Sequence, residues 1–186
     1  MSAYVFLAVL AVIAVPALGV DPEDPFDTLC AEGSKWHFFM DKLTWNASRD
    51  FCISNGWQLA ILDAKPKDKA VRQHILKGNI ALKAAPGNGY WMGCEDQGCE
   101  GHFHWLEGNP LERDGYSNWY QDPRGIYNQP NDNHQLDATG QDCCQMWKEP
   151  RKKPVFAWDD DYCWKKKGFI CEETGIDECL TNITED

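Results

Sequence analysis

Apolar and polar residues recur along this chain with two different periods, and the change of period divides it. From Thr44 the segment TWNASRDFCISNG has a helical spacing, with Trp45, Ser48, Phe51, Cys52 and Asn55 on one face. Thr44 can cap its start, and Asn55-Gly56 is a stop signal. QLAIL (Gln58–Leu62) then reads as a short strand. A second helix is expected to start near Pro66, carry Ala70, Val71 and Ile75 inward, and end at Gly78. After Tyr90 the chain turns to short aromatic strands among long polar loops. These are YWMG (Tyr90–Gly93), HFHW (His102–Trp105), CCQMW (Cys143–Trp147), VFAW (Val155–Trp158) and GFICE (Gly168–Glu172). Between Gly108 and Asp142 there is almost no strand-like periodicity, which marks either a functional loop or a misassigned element.

The first nineteen residues form one uncharged apolar run, with small residues at Ala17 and Gly19. Residues 1–19 therefore read as a secretory signal peptide cleaved near Gly19, with an uncleaved anchor as the alternative. No later segment is long and apolar enough to span a bilayer, so the mature protein is expected to be soluble, secreted and extracellular. Residues 20–29, with the acidic, proline-containing DPEDPFDTL, read as a flexible lead-in, residues 30–174 as one domain, and residues 175–186 as a C-terminal tail.

The formal net charge of −11 argues against nucleic acid or an anionic membrane as the main partner and favours cations or mineral surfaces. All nine cysteines follow the leader, which in a secreted chain signals a disulfide framework. Nine is odd, so at least one thiol lacks a partner within the chain. Two oxygen-rich clusters stand out, NQPND (Asn128–Asp132) and WDDDYC (Trp158–Cys163). On their own they read first as solvated turns, with a Ca²⁺ site as the sharper alternative, since that ion takes six to eight oxygen ligands.

In order and spacing, LTWNASRDFC, QLAIL, YWMG, NQPND, WDDDYC and GFICE resemble the C-type lectin-like domain family, over roughly Cys30 to Thr174. The resemblance implies an α+β fold of two helices and two small antiparallel sheets, with a long calcium-binding loop that accounts for Gly108–Asp142. It implies disulfides Cys52–Cys171 and Cys143–Cys163, and it places Cys30 and Cys179 near enough, at the chain ends, for a further clamp. Cys94 and Cys99 are close enough in sequence to pair with each other, a zinc site being the alternative. Cys144 shares a strand face with Met146 and reads as a buried thiol. A covalent dimer through Cys30, Cys144 or Cys179 is the competing reading.

By the same resemblance, Gln129, Asn131, Gln141, Asp159 and Asp160 would hold a principal Ca²⁺, with the Gln129–Pro130 peptide bond cis. Gln129, Asn131, Gln141 and Asp159 would also contact the sugar, whose adjacent hydroxyls replace water on the ion. An auxiliary Ca²⁺ would use Asp96, Glu100, Asp132 and Asp142. In the family, Glu-Pro-Asn generally accompanies mannose-like ligands and Gln-Pro-Asp galactose-like ones; Gln-Pro-Asn here is a hybrid, so the sugar stays open. Gln141 and Asp159 exchange the usual Glu and Asn, which leaves fewer carboxylates on the ion and implies weaker binding.

The expected function is calcium-dependent carbohydrate binding by a non-enzymatic protein, with a protein- or mineral-binding domain that has lost sugar recognition as the alternative. A hydrolase is disfavoured: His102 and His104 share a strand face, but no nucleophile motif or metalloprotease helix accompanies them. The basic clusters Arg151-Lys152-Lys153 and Lys165-Lys166-Lys167 read as solvated faces or as a contact for sulfated glycan. Asn46 in NAS and Asn182 in NIT are N-glycosylation sequons.

Overall fold

A computed structural model describes residues 25–180, apart from 79, 81–83, 85–87, 107, 109, 112–114 and 151–154. The leader, residues 20–24 of the lead-in, Asn182, Arg151, Lys152 and Lys153 therefore lie outside the described residues.

The first predicted helix is α1, Trp45–Ser54. Thr44 caps it, its hydroxyl accepting from the Ala47 amide at 3.3 Å, and Trp45, Ser48, Phe51 and Cys52 form the buried face. The second is α2, Lys65–Lys77, with Pro66 in its first turn, where a missing N–H costs nothing. It buries Val71 and Ile75 as expected, and also Asp68.

Among the described residues there are eight strands: β1 (Asp27–Ala31), β2 (Ser34–Leu43), β3 (Gln58–Leu59), β4 (Asn88–Glu95), β5 (His104–Trp105), β6 (Cys143–Lys148), β7 (Ala157–Asp161) and β8 (Lys167–Thr174). A short 3₁₀ turn, Asp177–Cys179, follows. β1 begins inside the stretch expected as lead-in and pairs with β2 along its whole length.

The strands form one mixed sheet rather than two separate antiparallel ones. Its order is β1-β2-β8-β4-β6-β7, with β3 on β8 and β5 on β4. The join is a short parallel pairing, Tyr90 with Gly168 and Trp91 with Phe169. Gly168 permits it, because a Cβ there would lie 2.8 Å from both the Phe39 carbonyl oxygen and the Tyr90 ring. The two larger buried clusters among the described residues pack against the sheet. One gathers Trp36, Phe38, Ile75, Tyr90, Met146, Trp158 and their neighbours, and the other packs Phe39, Phe51, Trp91 and Phe169 beneath α1.

Four disulfides close the fold. Cys52–Cys171, Cys143–Cys163 and Cys30–Cys179 match the expected pairs. The fourth corrects the expectation for the remaining cysteines: Cys94 pairs with Cys144, and Cys99 is a free, exposed thiol. The reason is the pleat. Cys143 and Cys144 are consecutive on β6 and point to opposite faces, one toward Cys163 and the other toward Cys94 on the neighbouring strand. Cys99 sits instead in a turn closed by its own amide on the Asp96 carbonyl, at 3.0 Å.

Candidate functional site

The long loop is anchored on β7 from its first half. Tyr120 donates its amide to the Trp158 carbonyl, and Trp158 donates to that of Asn118, both at 2.8 Å. Beneath this seam lies Asp68, fully buried on α2. It accepts from the Trp158 indole at 2.8 Å and the Tyr116 hydroxyl at 2.7 Å. A lone aspartate in a helix gave no sequence signal for this role. The Gln129 amide then donates to the Tyr120 carbonyl at 2.8 Å, which seats NQPND over the end of β7, and the Gln129–Pro130 bond is cis.

Four of the five expected principal ligands come together there. Asp160 is fully buried and accepts backbone amides from Asn131 at 3.0 Å and Asp132 at 2.7 Å. Burial pushes its carboxyl up to about 6 against the lowering effect of those amides. Asp159 is held well above the usual carboxylate range, first by burial and then by the charges of Asp160 and Asp161. Gln129 is buried, and its Oε1 has no hydrogen-bond partner. Asn131 is exposed, and the Tyr127 hydroxyl lies near its side chain and that of Gln129, with burial and the charge of Asp159 pushing that hydroxyl up.

The fifth, Gln141, is engaged elsewhere. Its Oε1 accepts from the Asn133 amide at 3.1 Å, and its Nε2 donates to Asp161 Oδ1 at 3.0 Å. This explains a carboxamide at that position, since a glutamate would set an oxygen anion against Asp161. Asp161 is in turn an internal anion. Burial alone would raise it, but Lys167 and Lys165 outweigh burial and hold it below the usual range.

That pairing corrects the reading of the second basic cluster as a glycan contact. Lys167 is buried, with its Nζ 2.6 Å from Asp161 and 2.8 Å from the Asn88 side-chain oxygen, over the Trp91 ring. Lys165 pairs with Asp161 at 2.7 Å and lies over the Tyr162 ring. Only Lys166 of the three is exposed. A strand-terminal lysine run looks solvated in sequence because nothing local reveals the buried aspartate it serves.

Three of the four expected auxiliary ligands also converge. Asp96, Glu100 and Asp142 each offer an oxygen within 4.8 Å of the others. Asp96 is buried, its Oδ2 accepts the Gly101 amide at 2.8 Å, and its Oδ1 has no partner. Burial, together with the charges of Glu100 and Asp142, pushes it up to about 7. Asp132 borders the group, but its carboxylate is turned to the His134 ring and to the Gln141 amide. Gly140 makes that turn possible, since a Cβ there would fall 1.8 Å from Asp132 Oδ1. Every donor in both groups is oxygen, and two buried oxygens lack partners, so the residues fit a hard cation such as Ca²⁺.

Sequence reasoning also missed Gln145, which is fully buried on β6 beside Asp159 and Asp161. Its Nε2 donates to Asp159 at 2.6 Å and to Asp161 at 3.3 Å.

Comparison with known proteins agrees with this architecture. The family described as "Lectin C-type domain" matches residues 41–173. Salivary C-type lectin 2 of Aedes albopictus is 31% identical over 150 residues, covering 77% of this chain and 85% of the relative. C-type lectin 16 of Aedes aegypti is 28% identical over 145 residues, covering 77% and 84%. Among solved structures, the mouse scavenger receptor C-type lectin carbohydrate-recognition domain superimposes with a TM-score of 0.60 at 20% identity, over 79% of this chain and 93% of that one. Members of the family are generally binding proteins rather than enzymes, and their domains typically bind Ca²⁺. No helix among the described residues is long and apolar enough to cross a membrane. By its sequence match and by its fold, the chain belongs to the C-type lectin domain family.

Proposed function

We propose that this chain is a secreted, calcium-dependent carbohydrate-binding protein whose site is the Gln129–Asp132 loop seated on β7. One observation carries the reading. Asp159 and Asp160 are adjacent, buried carboxylates, neither makes an ion pair with a described basic side chain, and the buried Gln129 Oε1 beside them has no partner. Two ionised carboxylates at such a place repel each other and lose hydration, and a cation offsets both costs.

Gln129, Asn131, Asp159 and Asp160 would hold the principal ion, and Asp96, Glu100 and Asp142 the auxiliary one. Bound Ca²⁺ would supply a coordination shell open to two adjacent sugar hydroxyls. The side chains around it set the geometry of the second contact. Asp159 can accept from a hydroxyl, while the carboxamides of Gln129 and Asn131 can donate to one. Gln141 and Asp132 act one step back, holding the loop in register. Four disulfides suit an oxidising, extracellular compartment, in keeping with a signal peptide over residues 1–19.

The test is a glycan array run with Ca²⁺ and again in EDTA, with calorimetry of calcium alone. Calcium-dependent binding to vicinal-diol sugars is expected. If calorimetry finds no calcium binding at roughly millimolar concentration, the protein- or mineral-binding reading replaces this one.

A further inference from the structure

A groove of about 340 Å³ runs between the start of α1 and the end of the long loop, lined by Thr44, Asn46, Gln97, Thr139, Asp142 and Trp164. Its walls are tied together, because the Trp45 amide donates to the Cys163 carbonyl at 3.0 Å. Asn46 and Trp164 are each one residue beyond that hydrogen bond. Trp164 is 52% exposed, yet its ring is held: Nε1 donates to Asp137 at 3.1 Å, and the Tyr162 ring lies 5.6 Å away. A fixed, solvent-facing indole beside amide and hydroxyl side chains is suited to bind a sugar. The C–H faces of a pyranose carry partial positive charge and meet the negative face of the ring.

Asn46 is exposed and opens the sequon Asn46-Ala47-Ser48. We propose that this groove is the binding site of the chain's own N-linked glycan, with the first N-acetylglucosamine attached at Asn46 packed on the Trp164 ring. Tethering makes a weak contact sufficient, since the sugar is held at high local concentration and cannot diffuse away. The acetamido group of that sugar has Gln97 and Thr139 as polar neighbours in the groove. The groove borders the auxiliary ion group through Asp142 but takes a different ligand, so the test is run at one fixed Ca²⁺ concentration and does not require calcium-dependent sugar recognition.

The experiment uses the full chain expressed in a secretory eukaryotic host. Glycopeptide mass spectrometry establishes occupancy of Asn46, and peptide-N-glycosidase then releases the glycan from the native protein. Release is expected to be slow for the wild type, roughly threefold or more faster for Trp164→Ala, and slow again for Trp164→Tyr, which keeps a ring face. Tryptophan fluorescence should change on deglycosylation of the wild type and not of Trp164→Leu, which gives a second readout if Trp164→Ala folds poorly. An unmodified Asn46, or equal release rates from wild type and ring-less variants together with no fluorescence change in the wild type, would overturn the proposal.

Discussion

Gln145 on β6 lies directly opposite Asp159 on β7 and donates its side-chain amide to that carboxylate at 2.6 Å. The contact fixes a candidate ion ligand from below, through a strand pair rather than through the loop. Gln145→Leu removes the one donor to Asp159 Oδ2 found among the described residues and leaves that oxygen buried. The variant is expected to lose about 1–3 kcal/mol of stability and to bind calcium more weakly. Thermal melts with and without Ca²⁺ measure both, and a variant that melts like the wild type in each condition would show that Asp159 needs no such support.

Removing calcium should loosen the loop and leave the framework intact. The described loop residues reach the sheet mainly through Asn118–Tyr120 and through Asp160, whereas the core is closed by Cys52–Cys171 and Cys143–Cys163. Limited proteolysis in EDTA is expected to cut first within 108–142. Equal cleavage with and without Ca²⁺ would mean that the loop owes nothing to an ion.

The hybrid Gln-Pro-Asn loop gives a directional test of sugar choice. Asn131→Asp supplies a carboxylate acceptor on one side of the site, and Gln129→Glu supplies one on the other. Each should tighten calcium binding, with the first shifting preference toward galactose-like and the second toward mannose-like ligands. A charge-assisted hydrogen bond of about 1.5–3 kcal/mol gives roughly a tenfold preference or more. Three identical array profiles would remove NQPND from sugar recognition.

Acid should weaken the fold through His37, away from the site. The imidazole is buried and stacked on Trp57 at 4.1 Å, and its Nδ1 has no partner. Burial lowers its proton affinity by more than Glu173 raises it. The unfolded chain therefore takes up the proton first, so the contribution is fully present above an unfolded value of about 6.5. It is lost as pH falls from there through the lower folded value. In denaturant titrations from pH 8 to 5, wild-type stability should fall with a slope of at most about 1.4 kcal/mol per pH unit from this residue. His37→Phe should flatten that share of the curve; an unchanged slope would sink the assignment.

The cysteine framework is open to mapping. Native protein should alkylate at Cys99 alone, and non-reducing digestion should recover Cys94–Cys144. Cys99→Ser is expected to change stability by no more than about 0.5 kcal/mol. Cys94→Ala should cost about 2–5 kcal/mol. Recovery of a Cys94–Cys99 peptide would reverse the assignment.

Both helices were legible because spacing and caps are local properties, and Thr44 and Gly78 sit where the chain said they would. β2 was not: Trp36–Phe39 are buried on both faces between β1 and β8, so the strand lacks the alternation that announces one. The site residues were named through the family resemblance, while the groups that position them were invisible. Gln145, Asp68 and Lys167 act through partners 14, 90 and 6 residues away, and each partner is fixed only by strand register or tertiary packing. Cys99 was misread for a related reason. Closeness in sequence outweighed the pleat that turns Cys144, rather than Cys99, toward Cys94.

The consecutive half-cystines of β6 also limit how this chain can diverge. Sliding β6 by one residue would transpose the two sulfurs, so that each faced the other's partner and neither bridge could close. The loop ahead of Cys143 carries no such lock. An insertion or deletion that shifted both cysteines against β4 would therefore cost two bridges at once, whereas a change of length within the exposed loop segment 123–127 would cost neither.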